Sequence, residues 1–231
     1  MTTRVLPAPD VYAVCAKGGP VLSFYQGVFE SVYVLLHPFI RPIVKSAKDF
    51  RNDANPLDRA ALCASCEPVA WAEVQRLTEF SSPAEINVAL RTQIGGLRKE
   101  FASQSLATRL RTSVEKSGIV EPSEGTFSDL SHDKILTFLQ EQGYEWLWVG
   151  DEFCTERELH WLEDLKEPTS TATQGHCNVF TPDKQVLWTT HWDSHFSFFC
   201  GSKEMIARVA NDARFEGFEC DATTMVYWSV R

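Results

Sequence analysis

The chain of 231 residues lacks any long apolar run: its most hydrophobic stretch, Val32 to Ile40, is interrupted by His37 and Pro38. A bilayer-spanning helix needs about 20 consecutive apolar residues, so no membrane span is expected and the stretch reads as a buried strand. The opening Met-Thr-Thr-Arg is followed by Pro7 and Pro9 instead of an apolar signal region, which points to a cytoplasmic protein. Positive charge is also short, with 22 Lys and Arg against 31 Asp and Glu, a net charge of −9. Nucleic-acid binding draws on clustered cations that displace counterions, so that function is disfavoured. The seven cysteines are an odd number, scattered at 15, 63, 66, 154, 177, 200 and 220. Reduced thiols fit this better than a disulfide framework. No GxSxG elbow, P-loop, GxGxxG after a strand or HExxH is present. Those absences leave catalysis open, because a triad assembles in space from distant residues.

What remains is an ordinary globular composition, 44% hydrophobic and 23% charged. A chain of this length can bury roughly 70% of its unfolded surface. A single domain over residues 1–231 is expected, with any subdomain boundary near 120. Charge divides unevenly: residues 1–116 carry 14 basic and 11 acidic side chains, net +3, whereas residues 117–231 carry 8 and 20, net −12.

Helical signals dominate the first half. A short helix opens at Asn55-Pro56, and Pro68 suits the first turn of another over 69–80. Ser82-Pro83-Ala84-Glu85 has the form of a capping box, ahead of a stripe of Ile86, Leu90, Ile94, Leu97 and Phe101. Further helices are expected over 105–116, ended by Gly118, over 129–142, ended by Gly143, and from Thr155 to Leu165. The segment 167–174, within a mobile loop over 167–176, has no apolar anchor. After it the period changes to two. Strands are expected over 178–180, 185–190, 196–200, 217–220 and 224–230, with a helix capped by Ser202 among them. Helices clustered before strands give an α+β fold, a helix-rich N-terminal half packed on a mainly antiparallel C-terminal sheet.

Several constellations could carry chemistry. In His191-Trp192-Asp193-Ser194-His195 an extended backbone would put His191, Asp193 and His195 on one face. Two imidazoles and a carboxylate can chelate Zn or Fe with open positions for water, His160 or His176 completing the sphere. Asp and Ser also favour turns, however, and a turn would destroy the shared face. The favoured reading is therefore structural histidines around a turn aspartate, with no cofactor. Cys63-Ala-Ser-Cys66 is a lone CxxC without a second pair, and Glu156, His160 and Glu163 would line the solvated face of their helix. Gly201-Ser202-Lys203, where a strand enters a helix, is a weak anion signal. Tyr144, Trp146 and Trp148 share one strand face, and six of the seven tryptophans follow residue 145. Core packing is the default for them; exposed, they would form a binding groove.

The segments LLHPFI (35–40), EPVAW (67–71), IGGLRK (94–99), PSEGTFSD (122–129) and WDSHFSFF (192–199) together resemble domain-of-unknown-function family 2711. The resemblance spans nearly the whole chain and implies a bacterial single-domain protein. It transfers no site residue.

Three functional expectations follow. The leading one is a binding or interaction protein that recognises a basic protein partner through the acidic C-terminal half, with Tyr144, Trp146, Trp148, Trp192 and Asp193 as candidate contacts. The second is a metal-dependent hydrolase or oxygenase using His191, Asp193 and His195. The third is a small-molecule binder with an apolar pocket beside the tryptophans.

Overall fold

A computed structural model describes residues 8–51 and 57–230. After a 3₁₀ turn at Val11–Ala13, the described elements run α1 (Val21–Phe24), β1 (Ser31–Leu36), β2 (Phe39–Pro42), α2 (Ala47–Arg51), α3 (Arg59–Ser65), β3 (Cys66–Val69), α4 (Trp71–Thr78), α5 (Pro83–Ile94), α6 (Gln104–Lys116) and α7 (Asp129–Glu141). There follow β4 (Trp146–Asp151), β5 (Arg157–Trp161), α8 (Leu162–Lys166), β6 (Cys177–Phe180), β7 (Leu187–Thr190), β8 (Phe196–Gly201), α9 (Lys203–Ala210) and β9 (Gly217–Glu219). The architecture is α+β. Seven strands form one antiparallel sheet in the order β5-β4-β6-β7-β8-β1-β9, and β2 pairs with β3 separately.

The sheet is covered on both faces, which explains why β1 and β8 are buried at every position. Val32, Val34 and Leu36 of β1, with Phe196, Phe198 and Cys200 of β8, join a core with residues of α4, α5 and α6. Tyr33, Leu35 and Phe199 point the other way, into a second core with α7, α8 and α9. Strict alternation of side chains thus feeds two cores at once. The N-terminal β1 lies between β8 and β9, its Ser31 opposite Gly201 and its Leu36 opposite Phe196.

Local differences from the sequence reading have tertiary causes. Residues 155–165 are not one helix: 157–161 form the edge strand β5, paired with β4 from Trp146↔Trp161 to Gly150↔Arg157. Thr155 caps nothing; its amide and hydroxyl, with the amides of Phe153 and Glu156, donate to the Asp151 carboxylate and close the β4–β5 hairpin. Glu156, His160 and Glu163 therefore share no helical face. The run 31–40 is split at His37-Pro38, and Pro68 lies in β3, so the next helix starts at Trp71. Asn55 and Pro56 lie outside the described residues, and Asp58 caps α3 by accepting from the Ala61 amide. Glu85 accepts from the Ser81 amide in place of Ser82. Residues 224–230 run irregularly along α5, where Asn87 Nδ2 donates to Ser229 Oγ at 2.8 Å.

The N-terminal segment is tied to the core by Tyr25, whose buried hydroxyl donates to the Val14 carbonyl at 3.0 Å and accepts from the Ala16 amide at 3.1 Å. Replacing Tyr25 with Phe strands both backbone groups. Urea unfolding of Tyr25→Phe should show a loss of about 1–3 kcal/mol, and unchanged stability would refute this anchoring role.

Candidate functional site

The His191–His195 segment is the connection of the β7–β8 hairpin. The Ser194 amide donates to the His191 carbonyl at 2.9 Å, so the backbone turns over Trp192 and Asp193. The extended arrangement that would align three ligands does not form. Among the described residues no group of three or more His, Cys, Asp or Glu is gathered to hold a metal ion. His160 lies on β5 beside Glu158, and His176 Nδ1 donates to the Gly125 carbonyl at 2.7 Å.

The turn is clamped from two directions. From below, Arg91 of α5 donates through Nη2 to Ser194 Oγ at 2.7 Å. From the side, the Gly125 amide donates to the Ser194 carbonyl at 2.8 Å. Gly125 has φ +66°, and a Cβ there would run into the Trp192 carbonyl oxygen and the His176 ring. At Gly96 a Cβ would meet Asp193 Cβ at 3.2 Å. Both glycines thus permit close approach of the backbone to the turn.

Arg91 is the unusual residue. It is 0% exposed, and its Nε and Nη1 have no hydrogen-bond partner among the described residues. Its guanidinium carbon lies 4.3 Å from the Tyr227 ring centroid and 5.8 Å from that of Phe196. Burial draws its pKa below the usual guanidinium value, opposed by Tyr227 and, through space, by Asp193. The remaining unpartnered buried side-chain atoms among the described residues lie along the same seam: both ring nitrogens of His37, His195 Nδ1, Asn87 Oδ1 and Trp228 Nε1. His37 follows β1 and His195 precedes β8, and the His37 amide donates to the His195 carbonyl at 3.1 Å. Such groups are rare in folded proteins and call for a polar companion such as water or an ion.

Two cavities flank Tyr227. One of about 150 Å³ is lined by Cys15, Lys17, Glu152, Phe153, Thr190, His191, Trp192 and Tyr227. The other, of about 400 Å³, has a mainly apolar wall that includes Leu97, Phe101, Met225, Tyr227 and Val230, with Arg98 at its side. In the smaller cavity His191 Nδ1 accepts from the Asp193 amide at 3.2 Å, which leaves the proton of the neutral ring on Nε2. Burial pushes the Cys15 thiol up to about 12, so it stays protonated and unreactive.

Of the five candidate contact residues, Trp192 (56% exposed) and Asp193 belong to this turn. Tyr144, Trp146 and Trp148 do not. Pairing places Asp151, at the far end of β4, opposite Cys177, and Asn178 opposite Thr189, so the His191 turn lies at the Asp151 end of the sheet and Trp146 at the other. There Trp146 and its cross-strand partner Trp161 are 47% and 48% exposed, Trp148 stacks on Phe180, and the Tyr144 hydroxyl donates to Asp183. Arg91, Lys17, Tyr227 and His37 were not apparent as site residues. The available signal was Arg91 itself, the lone cation of a 12-residue helix whose only other charge is Glu85.

Residues 17–230 match the family model described as "Protein of unknown function (DUF2711)", and the chain belongs to that family. It is also similar to "Uncharacterized protein YwbB" of Bacillus subtilis (strain 168), 24% identical over 221 residues that cover 90% of this chain and 94% of the relative. No solved structure matches. No helix among the described residues is long and apolar enough to cross a membrane.

Two outcomes follow from the site. Burial pushes His37 and His195 down to about 3 and His191 to about 4, with Arg91 adding to the effect at His191 and His195. Below the ordinary value of 6.5 the unfolded chain binds protons at these positions and the folded chain does not, so stability falls as pH falls towards 4. Denaturant titrations between about pH 6 and pH 4.5 should give a slope that His195→Gln makes shallower by about 1.4 kcal/mol per pH unit. An unaltered slope would show that His195 is not buried neutral. Gly125→Ala should cost about 2 kcal/mol or more in thermal unfolding, from left-handed strain and the displaced turn. A cost within a few tenths of a kcal/mol would mean that the turn is not held at Gly125.

Proposed function

We propose that the protein binds a small molecule with an anionic head, a carboxylate or phosphate, on an apolar body. The observation that carries this reading is the buried Arg91 guanidinium, which packs 4.3 Å from the ring of Tyr227, a residue shared by both cavities, and whose Nε and Nη1 have no hydrogen-bond partner and no ion-paired carboxylate among the described residues. An isolated buried cation costs several kcal/mol, a cost that an arriving anion offsets. Lys17 and the Nε2 proton of His191, in the smaller cavity, supply further positive or donor character, and Glu152 at its wall disfavours a second anionic group. The apolar cavity on the other side of Tyr227 suits a hydrocarbon or aromatic body, in keeping with the mostly apolar lining of ligand sites. Trp192, half-exposed at the mouth of the smaller cavity, provides a fluorescent reporter.

A basic protein partner on the acidic half finds less support. Several carboxylates there already serve internal cations: Glu141 and Asp212 hold Arg214, Glu163 holds Lys166 and Glu204 holds Arg208.

The binding reading is tested by calorimetry and tryptophan fluorescence with matched pairs of aryl and alkyl carboxylates, phosphates and their neutral amides. Acids should bind and amides should not. Arg91→Met should abolish binding while the chain stays folded by circular dichroism, since relief of the buried charge offsets the lost Ser194 hydrogen bond. Acid binding that survives in folded Arg91→Met, or a panel in which amides bind as well as acids, would overturn it.

A further inference from the structure

A second cluster lies on the opposite face of the sheet, away from α5. His132, on the first turn of α7, is 2% exposed and is engaged on both ring nitrogens. Its Nδ1 lies 2.9 Å from Asp133 Oδ1, and its Nε2 lies 2.7 Å from Thr173 Oγ1. A carboxylate can only accept, so Nδ1 carries the proton and Nε2 accepts from the threonine hydroxyl. Arg59 closes the cluster: its Nε is 3.5 Å from Asp133 Oδ1, its Nη1 is 3.4 Å from His132 Nε2, and its Nη2 donates to the carbonyls of Leu165 and Glu167. His132 and Thr173 open onto a cavity of about 160 Å³ whose wall also includes Arg59, Thr126, Asp129 and Gly175.

From this line of hydroxyl, imidazole and carboxylate at the wall of a cavity, we propose a site of acyl transfer in which Thr173 is the nucleophile, His132 its general base and Asp133 the positioning residue. The substrate class is a small carboxylic ester, since the cavity holds only a short acyl group. In the step, Thr173 Oγ1 bonds to the ester carbonyl carbon as its proton passes to His132 Nε2. The bond from that carbon to the leaving oxygen breaks, and the proton moves from Nε2 to the departing alkoxide, giving an alcohol. Water then repeats the sequence on the acyl-threonine, releasing a carboxylic acid and restoring the hydroxyl. The Arg59 guanidinium lies 3.4 Å from His132 Nε2 at the wall of the same cavity, and its positive charge favours the negative charge that develops on the carbonyl oxygen. Burial holds the His132 ring below the usual histidine value, partly offset by Asp133, so the base is neutral at pH 7. Thr173, in the loop over 167–176, is buried against α7.

The test is labelling of the purified chain with a fluorophosphonate and with p-nitrophenyl acetate, read by intact mass and peptide mapping. One adduct is expected at Thr173, retained in Thr173→Ser and absent in Thr173→Ala. Labelling should slow by about 100-fold or more when the base is removed in His132→Gln, and also in Asp133→Asn, which turns the tautomer round; either variant, shown folded by circular dichroism, decides. A folded parent chain with no adduct at Thr173 from either reagent, or labelling in a folded His132→Gln or Asp133→Asn chain as fast as in the parent, would overturn the assignment.

Discussion

Burial of the central sheet on both faces is the constraint from which the other features follow. β1 and β8 run side by side over six paired positions with no residue reaching solvent. Each apolar side chain so placed contributes on the order of 1.5–3 kcal/mol, and the pairing joins the N-terminal part of the chain to strands more than 160 residues later. Polar groups are consequently driven to the ends of these strands. His37 stands just beyond β1 and His195 just before β8, and the hairpin turn between β7 and β8 becomes the place where backbone, helix α5 and the C-terminal segment meet.

That meeting point is under-satisfied in hydrogen bonding, and the deficit is concentrated. Buried polar atoms without a partner in the described residues lie on α5, the C-terminal segment and the two strand ends. Elsewhere the interior polar groups are well paired: Asn178 with Thr189 and the Asp151 and Glu152 carbonyls, Trp188 Nε1 with Ser197 Oγ, Thr190 with the Phe196 carbonyl. A protein that satisfies one part of its core and leaves a guanidinium half-paired in another carries a local cost of the kind associated with function. The His132 cluster is the opposite case. Both ring nitrogens of its histidine are engaged, and its interest lies in the order of those engagements.

Much of the secondary structure was legible. The helices α6 and α7, the strands β6, β7 and β8 and the Ser202 cap on α9 follow their sequence signals closely, because each is set by local periodicity and capping chemistry. Where the reading failed, a partner distant in sequence decided. The edge strand β5 has helical caps and acidic residues, but β4 offers a free row of amides and carbonyls and the hairpin wins. α5 looked amphipathic with an outer face; it is buried from Ile86 to Thr92, so its arginine lies inside. No one-dimensional pattern reports that a helix is enclosed by α6 on one side and by a C-terminal segment 140 residues away on the other.

The sequence alone determined the class of fold, the turn at Asp193 and the resemblance to family 2711. These depend on composition, local backbone preference and short-range spacing, which a linear chain displays directly. Tertiary structure alone decided which histidines are buried neutral, that Arg91 has no ion-pair partner among the described residues, and that Thr173 reaches His132 across 41 positions. Those properties depend on distance and desolvation, and both are created only when remote segments pack.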